Sequence, residues 1–219
     1  MSLAAMVIGS RRFANRHDLL AGPLVVPAGV TALNILAAAP GGGVLPNTVG
    51  SPTTGAGGGG GGAAIINCTL AVAPGDIVDV DLPAGDTRRL LLNGVGQATV
   101  QAGGTSNFTD PRGAAGGLAS WGASFVPGGN GGTAAGANGV SGHVLAVAGG
   151  TIIGGGGGGA GNTVAPPLAG GAGGSSGGYA GSDGVSFYGG GGAGYFSGAT
   201  RLTASTTTSF GAFLFFAEW

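Results

Sequence analysis

Between residues 24 and 102 short apolar runs alternate with Gly/Pro turns, a pattern of strands rather than helices. Leu24-Val25-Val26 leads through Pro27-Ala28-Gly29 into Ala32-Leu33-Asn34-Ile35-Leu36, and a second strand is expected over Ile65 to Val72. The turn Pro74-Gly75-Asp76 closes it. In Ile77-Val78-Asp79-Val80-Asp81-Leu82 the alternation is clean: Val78, Val80 and Leu82 on one face, Asp79 and Asp81 on the other. Further strands are expected at Arg88–Leu92, Ala98–Ala102 and His143–Val147, with an aromatic strand over Ser209–Phe216 near the end. No stretch keeps a helical period. Many short strands with Gly/Pro turns point to an antiparallel β-sandwich.

The first twenty residues break this pattern. Ser10 to Leu20 contains three of the seven arginines and no glycine. Residues 1–22 read as an arm or short helix that docks on a neighbour through Arg11, Arg12, Phe13 and Arg16, or as a solvated leader.

Composition changes the picture more than pattern does. Glycine (55) and proline (11) make up roughly thirty per cent of the 219 residues, a level that ordinarily signals low-complexity disorder. Disordered chains are rich in charge and poor in apolar residues. Here charged residues are 7% and hydrophobic ones 43%, which argues for a folded chain.

Fixing glycine costs about 0.5–1 kcal/mol more than fixing alanine, so ordering half of these glycines costs on the order of 15–25 kcal/mol. Backbone must supply the compensation, because glycine has no side chain to do so. An extended helix of three residues per turn has no internal hydrogen bonds and offers its N–H and C=O groups to neighbours. Packed side by side, such helices form a polyglycine II bundle. A strict Gly-X-Y period is missing and Gly154 to Gly159 is unbroken, which disfavours collagen. The expected fold is therefore all-β, an antiparallel, jelly-roll-like β-sandwich with an inserted polyglycine II helix bundle. Its sandwich strands fall in 23–102, completed by about 141–153 and 200–219, and the glycine-rich region covers 103–199.

Charge and chemistry remove most functional classes. The net charge of −1 gives no basic footprint for nucleic acid. No apolar stretch is long enough to span a membrane as a helix, and the opening residues lack a positive leader segment. A P-loop needs lysine, and the chain has none. His17, His143 and Cys68 are scattered, unlike a zinc site. Cys68, the only cysteine, reads as a small buried hydrophobe. Asp76, Asp79 and Asp81 read as an exposed strand face before a cation site. Asn67-Cys68-Thr69 and Asn107-Phe108-Thr109 fit the glycosylation pattern. No enzyme activity and no cofactor are expected.

In order, the pieces are Val26–Thr31 with Leu33 and Ile35, Gly57–Gly62, Leu70–Asp76, the glycine clusters of Gly103–Gly198, and Phe213–Trp219. This order resembles the glycine-rich virion proteins of tailed phages, of the tail-fibre tip and adhesin type with polyglycine domains. The resemblance covers most of residues 23–219. It implies a surface-exposed component of the phage particle, a homotrimer, that binds a host receptor through loops at the end of a glycine bundle. Candidate receptor contacts are Trp121, Phe125, Asn130, Tyr179, Tyr188 and Tyr195, and the N-terminal arm would meet neighbouring virion proteins. The first glycine field is short and broken by Val44-Leu45-Pro46, and no trimer-stem segment is visible. A capsid decoration, cement or head-spike protein is the alternative. A bacterial cell-surface glycine-rich protein is a third reading, disfavoured by the lack of a leader.

Overall fold

The computed structural model describes residues 13–45, 57–83, 86–107, 112–133, 136–161, 172, 174–176, 179–184, 192–194 and 213–219. Among them are sixteen strands and no helix. In chain order these are β1 (Arg16–Asp18), β2 (Leu24–Val25), β3 (Ala32–Ala38), β4 (Val44–Leu45), β5 (Ala63–Ala71), β6 (Ile77–Asp81), β7 (Thr87–Leu92) and β8 (Val95–Gln101). They continue as β9 (Ser106–Asn107), β10 (Leu118–Trp121), β11 (Ser124–Pro127), β12 (Val144–Val147), β13 (Gly150–Gly154), β14 (Ser175–Ser176), β15 (Tyr179–Ala180) and β16 (Leu214–Glu218).

Two six-stranded antiparallel sheets hold most of them, in the orders β1-β16-β3-β5-β13-β12 and β11-β10-β8-β7-β6-β2. Alternation builds the core between them. Leu33, Ile35, Ile65, Leu70, Ile152 and Phe215 of the first sheet meet Val78, Leu90, Ala98, Val100, Ala119 and Val126 of the second. The expected inner face of β6 holds for Val78, which is buried, and Val80, which packs against the core. Leu82 lies past the strand end and is 66% exposed. In the second sheet β6, β7, β8, β10 and β11 follow one another as a meander, unlike the Greek-key crossings of a jelly roll.

The outer face of the first sheet is apolar too. Leu36, Ala38 and Ala64 are buried there beside Ile66, Leu214 and Phe216. Its polar members are paired. Asn34 Nδ2 donates to Glu218 Oε2 at 3.0 Å and to Asn67 Oδ1 at 3.3 Å, while Arg16 Nε stands 3.7 Å from Glu218 Oε1. The Arg16 guanidinium also lies 3.6 Å from the centre of the Phe216 ring. A buried carboxylate needs such partners, because desolvation without them is costly. For Arg16 this differs from the docking-arm expectation. Residues 16–18 form a strand paired with β16, so Arg16 serves the fold of its own chain. Phe13 is half-buried, and Arg11 and Arg12 lie outside the described residues.

One end of the sandwich carries tight turns. The β7–β8 hairpin turns on Asn93 and Gly94, both at positive φ (50° and 79°), as a two-residue hairpin requires. Asn93 Oδ1 accepts the Ile77 N–H at 2.9 Å and its Nδ2 donates to Asp76 Oδ1 at 2.8 Å. Asp76 also accepts the Ala73 N–H at 2.7 Å across the Pro74-Gly75 turn.

At the opposite end the strands run into glycine. β3 continues into 39–43, β8 into 102–105, β11 into 128–133 and β13 into 155–161; segments 57–62, 112–117 and 136–143 lead back into β5, β10 and β12. The boundary expected at residue 103 is therefore not a domain boundary. Glycine segments precede it, and β10 and β11 complete the second sheet from within the expected glycine-rich region, whereas β12 and β13 fall where 141–153 was expected to complete the sandwich.

Candidate functional site

Segments 39–43, 57–62, 102–105, 112–117, 128–133, 136–143 and 155–161 form no strands, yet most of their amides are paired with other segments. Gly154, Gly157 and Ala160 donate to the carbonyls of His143, Val140 and Ala137 at 2.8–2.9 Å. Gly155 and Gly158 donate instead to Gly62 and Gly59, and Gly159 to Ser182. Each neighbour is thus addressed at every third residue. A strand ladder would alternate between two sides with a period of two. The same three-residue step joins 57–62 to 128–133, where Gly58 and Gly61 donate to Gly132 and Gly129. It joins 112–117 to 57–62 as well, where Ala114 and Gly117 donate to Gly58 and Gly61.

Two segments lie at the centre. Segment 57–62 is bonded to 39–43, 102–105, 112–117, 128–133, 154–161 and 192–194, six neighbours among the described residues. Segment 154–161 is bonded to 57–62, 128–133, 136–143, 172–176, 179–184 and 192–194, again six. Both are buried throughout. This close approach needs glycine: a methyl group on Gly58 would overlap the carbonyl of Gly158, and one on Gly157 the carbonyl of Asn130.

Polar side chains at the margins stand in for backbone. Asn130 Oδ1 accepts the Gly116 N–H at 2.9 Å, Asn138 Oδ1 the Ala172 N–H at 2.8 Å, and Ser106 Oγ donates to the Gly57 carbonyl at 2.6 Å. These bonds close amide positions that a glycine neighbour does not reach.

Among the described residues, the expected receptor contacts Trp121, Phe125 and Asn130 do not gather on one surface. Trp121 ends β10 at the turn end of the sandwich, half-buried against the core. Phe125 follows across the Gly122-Ala123 turn on edge strand β11, 65% exposed. Both lie away from the glycine segments, which corrects the expectation of a shared bundle end. Asn130 sits within the glycine segments and braces them. Tyr179 opens β15, which pairs with β14, while Tyr188 and Tyr195 lie outside the described residues.

Among the described residues no group of three or more His, Cys, Asp or Glu could hold a metal ion. Asp81 pairs with Arg89 across β6 and β7, which raises the Arg89 pKa, and the contacts of Asp76 with Ala73 and Asn93 lower its own. Cys68 is buried, and desolvation raises its thiol pKa to about 11, so it is protonated and inert at neutral pH. No helix among the described residues is long and apolar enough to cross a membrane.

The sequence reading missed one cluster. Arg88, Asp79 and Phe213 line a cleft of about 420 Å³ with Leu19 and Leu82. Its signal was present: Arg88 occupies the inner register of β7, two residues before buried Leu90.

No protein-family model matches this chain, and no curated protein matches it in sequence.

Proposed function

We propose that this chain is a non-enzymatic structural component of a phage particle, a fibre-tip type protein whose glycine segments form a polyglycine II helix bundle. The bundle would act as a stiff stand that presents its far connections to a host receptor. The observation that carries the reading is the three-residue hydrogen-bond step combined with six lateral neighbours at segments 57–62 and 154–161. Three-residue helices without internal hydrogen bonds pack in this manner, and their rigidity comes from lateral amide pairing. A surface poor in charge supports assembly with other copies. So do exposed Phe125, Val144 and Leu145 on β11 and β12, the terminal strands of the two sheets.

The virion role itself rests on the sequence resemblance. Its test is immunogold electron microscopy of particles from a host that produces the chain, with antibody against the sandwich. Label at the far end of the tail is expected. Label spread over the capsid would replace the fibre-tip reading with the decoration reading, and unlabelled particles would end both.

A further inference from the structure

β2 pairs with β6 only at Leu24–Val78 and Val25–Ile77. Before Leu24 the chain turns away through 19–22, so β6 beyond Val78 has no strand on that side among the described residues. The cleft of about 420 Å³ opens there, within the size range of small-molecule sites. Leu19, Leu82, Val80 and Phe213 supply apolar walls, and Arg88 and Asp79 supply the charge.

Arg88 is half-buried. Its guanidinium carbon lies 4.2 Å from the centre of the Phe213 ring, which fixes its plane, and Nη1 donates to the Thr87 carbonyl at 3.0 Å. No carboxylate among the described residues pairs with it. Its other donors form a planar fork suited to a carboxylate. Asp79 uses Oδ1 to accept the Val80 N–H at 2.7 Å, on the stretch of β6 that β2 leaves free, and its Oδ2 has no described partner. Both residues line the cleft without forming an ion pair: Arg88 reaches it from the inner face of β7, and Asp79, whose position in β6 belongs to the outer face, reaches it at the free edge of the strand, where it accepts the Val80 N–H.

We infer that this cleft binds a small molecule bearing a carboxylate beside a hydroxyl or ammonium donor on a partly apolar frame. A simple fatty acid would satisfy Arg88 but set its charge against Asp79. A neutral sugar would leave the guanidinium unmatched. An acidic sugar or an amino acid satisfies both and places carbon against the leucine walls. The inference does not depend on the proposed virion role, since it concerns the sandwich alone.

The test is isothermal titration calorimetry on the full chain at low ionic strength with D-glucuronate, L-leucine, D-glucose and isovalerate. Saturable binding is expected for D-glucuronate or L-leucine, and which of the two binds identifies the sugar or the amino-acid source. D-glucose and isovalerate should bind at least tenfold more weakly. Arg88→Gln, which removes the guanidinium and its contact with the Phe213 ring while leaving a polar side chain on β7, should weaken the binding at least tenfold. Should that variant fail to fold, Asp79→Asn serves in its place, and isovalerate should then bind at least threefold better than to the unaltered chain. The proposal is overturned if neither D-glucuronate nor L-leucine saturates the protein by about 10 mM, an affinity weaker than about −3 kcal/mol. It is equally overturned if folded Arg88→Gln binds as well as the unaltered chain, or if Asp79→Asn leaves isovalerate binding unchanged.

Discussion

The sandwich and the glycine segments are continuous in chain, yet they are held together by opposite means. Between the sheets, Leu90, Ile35, Ile65 and Phe215 fill space, and the strands stand apart by the width of those side chains. Among the glycine segments little fills space except backbone and a few alanine methyl groups, and neighbouring segments meet carbonyl to Cα. Removing atoms therefore damages the first region, whereas adding them damages the second. The hydrophobic effect dominates the sandwich. The glycine region relies on amide pairs that are each worth only about 0.5–1.5 kcal/mol net, and it accumulates them along every segment. Cooperation between many weak bonds replaces packing of a few large groups.

The sharpest way to break this comparison is a pair of opposite substitutions. Gly157→Ala places a methyl group in the carbonyl of Asn130, and since that partner is backbone, no side chain can swing aside. We expect a loss of about 3 kcal/mol or more, the upper range of overpacking, measured by denaturant unfolding. Leu90→Ala, which empties a site between the sheets, should cost about 2–5 kcal/mol in the same assay. Gly96→Ala is the control: a methyl group there meets only the flexible Arg89 side chain, so the change should stay within about 0.5 kcal/mol. If Gly157→Ala proved as mild as Gly96→Ala, the close backbone packing would be wrong.

A smaller effect sharpens the margin between the regions. Asn130→Ala removes the acceptor of the Gly116 N–H at an exposed position, where water can replace it. The expected loss is about 0.5–1.5 kcal/mol, with faster exchange of the Gly116 amide as the direct readout by NMR. A loss near zero with unchanged exchange would return Asn130 to the set of residues free for receptor contact.

Legibility in the sequence followed the same division. The strand at 77–81, the Pro74-Gly75-Asp76 turn and the aromatic strand near the C-terminus were readable because side-chain alternation and turn chemistry record them locally. β10 and β11 are not legible within the glycine-rich region 103–199, since four residues such as Leu118-Ala119-Ser120-Trp121 carry too little alternation to declare a strand. The role of Arg16 was hidden because its partner, Glu218, lies at the other end of the chain. That glycine segments must satisfy one another could be argued from composition. Which segment meets which could not, because glycine has no side chain with which to specify a neighbour. The cleft at Arg88 shows in the sequence only as a charged residue in an inward register of β7, because the residues that wall it, Leu19 and Phe213, lie far away along the chain.

Backbone hydrogen exchange tests the central claim most directly. On the fully protonated chain transferred to deuterated buffer, the amides of Gly58, Gly61, Gly155 and Gly158 should exchange as slowly as those of buried Leu33 and Leu90, because each donates to, or lies within, a paired lattice or sheet. Exchange of those four glycine amides at the rate of an unstructured peptide, with Leu33 and Leu90 still protected, would contradict the account.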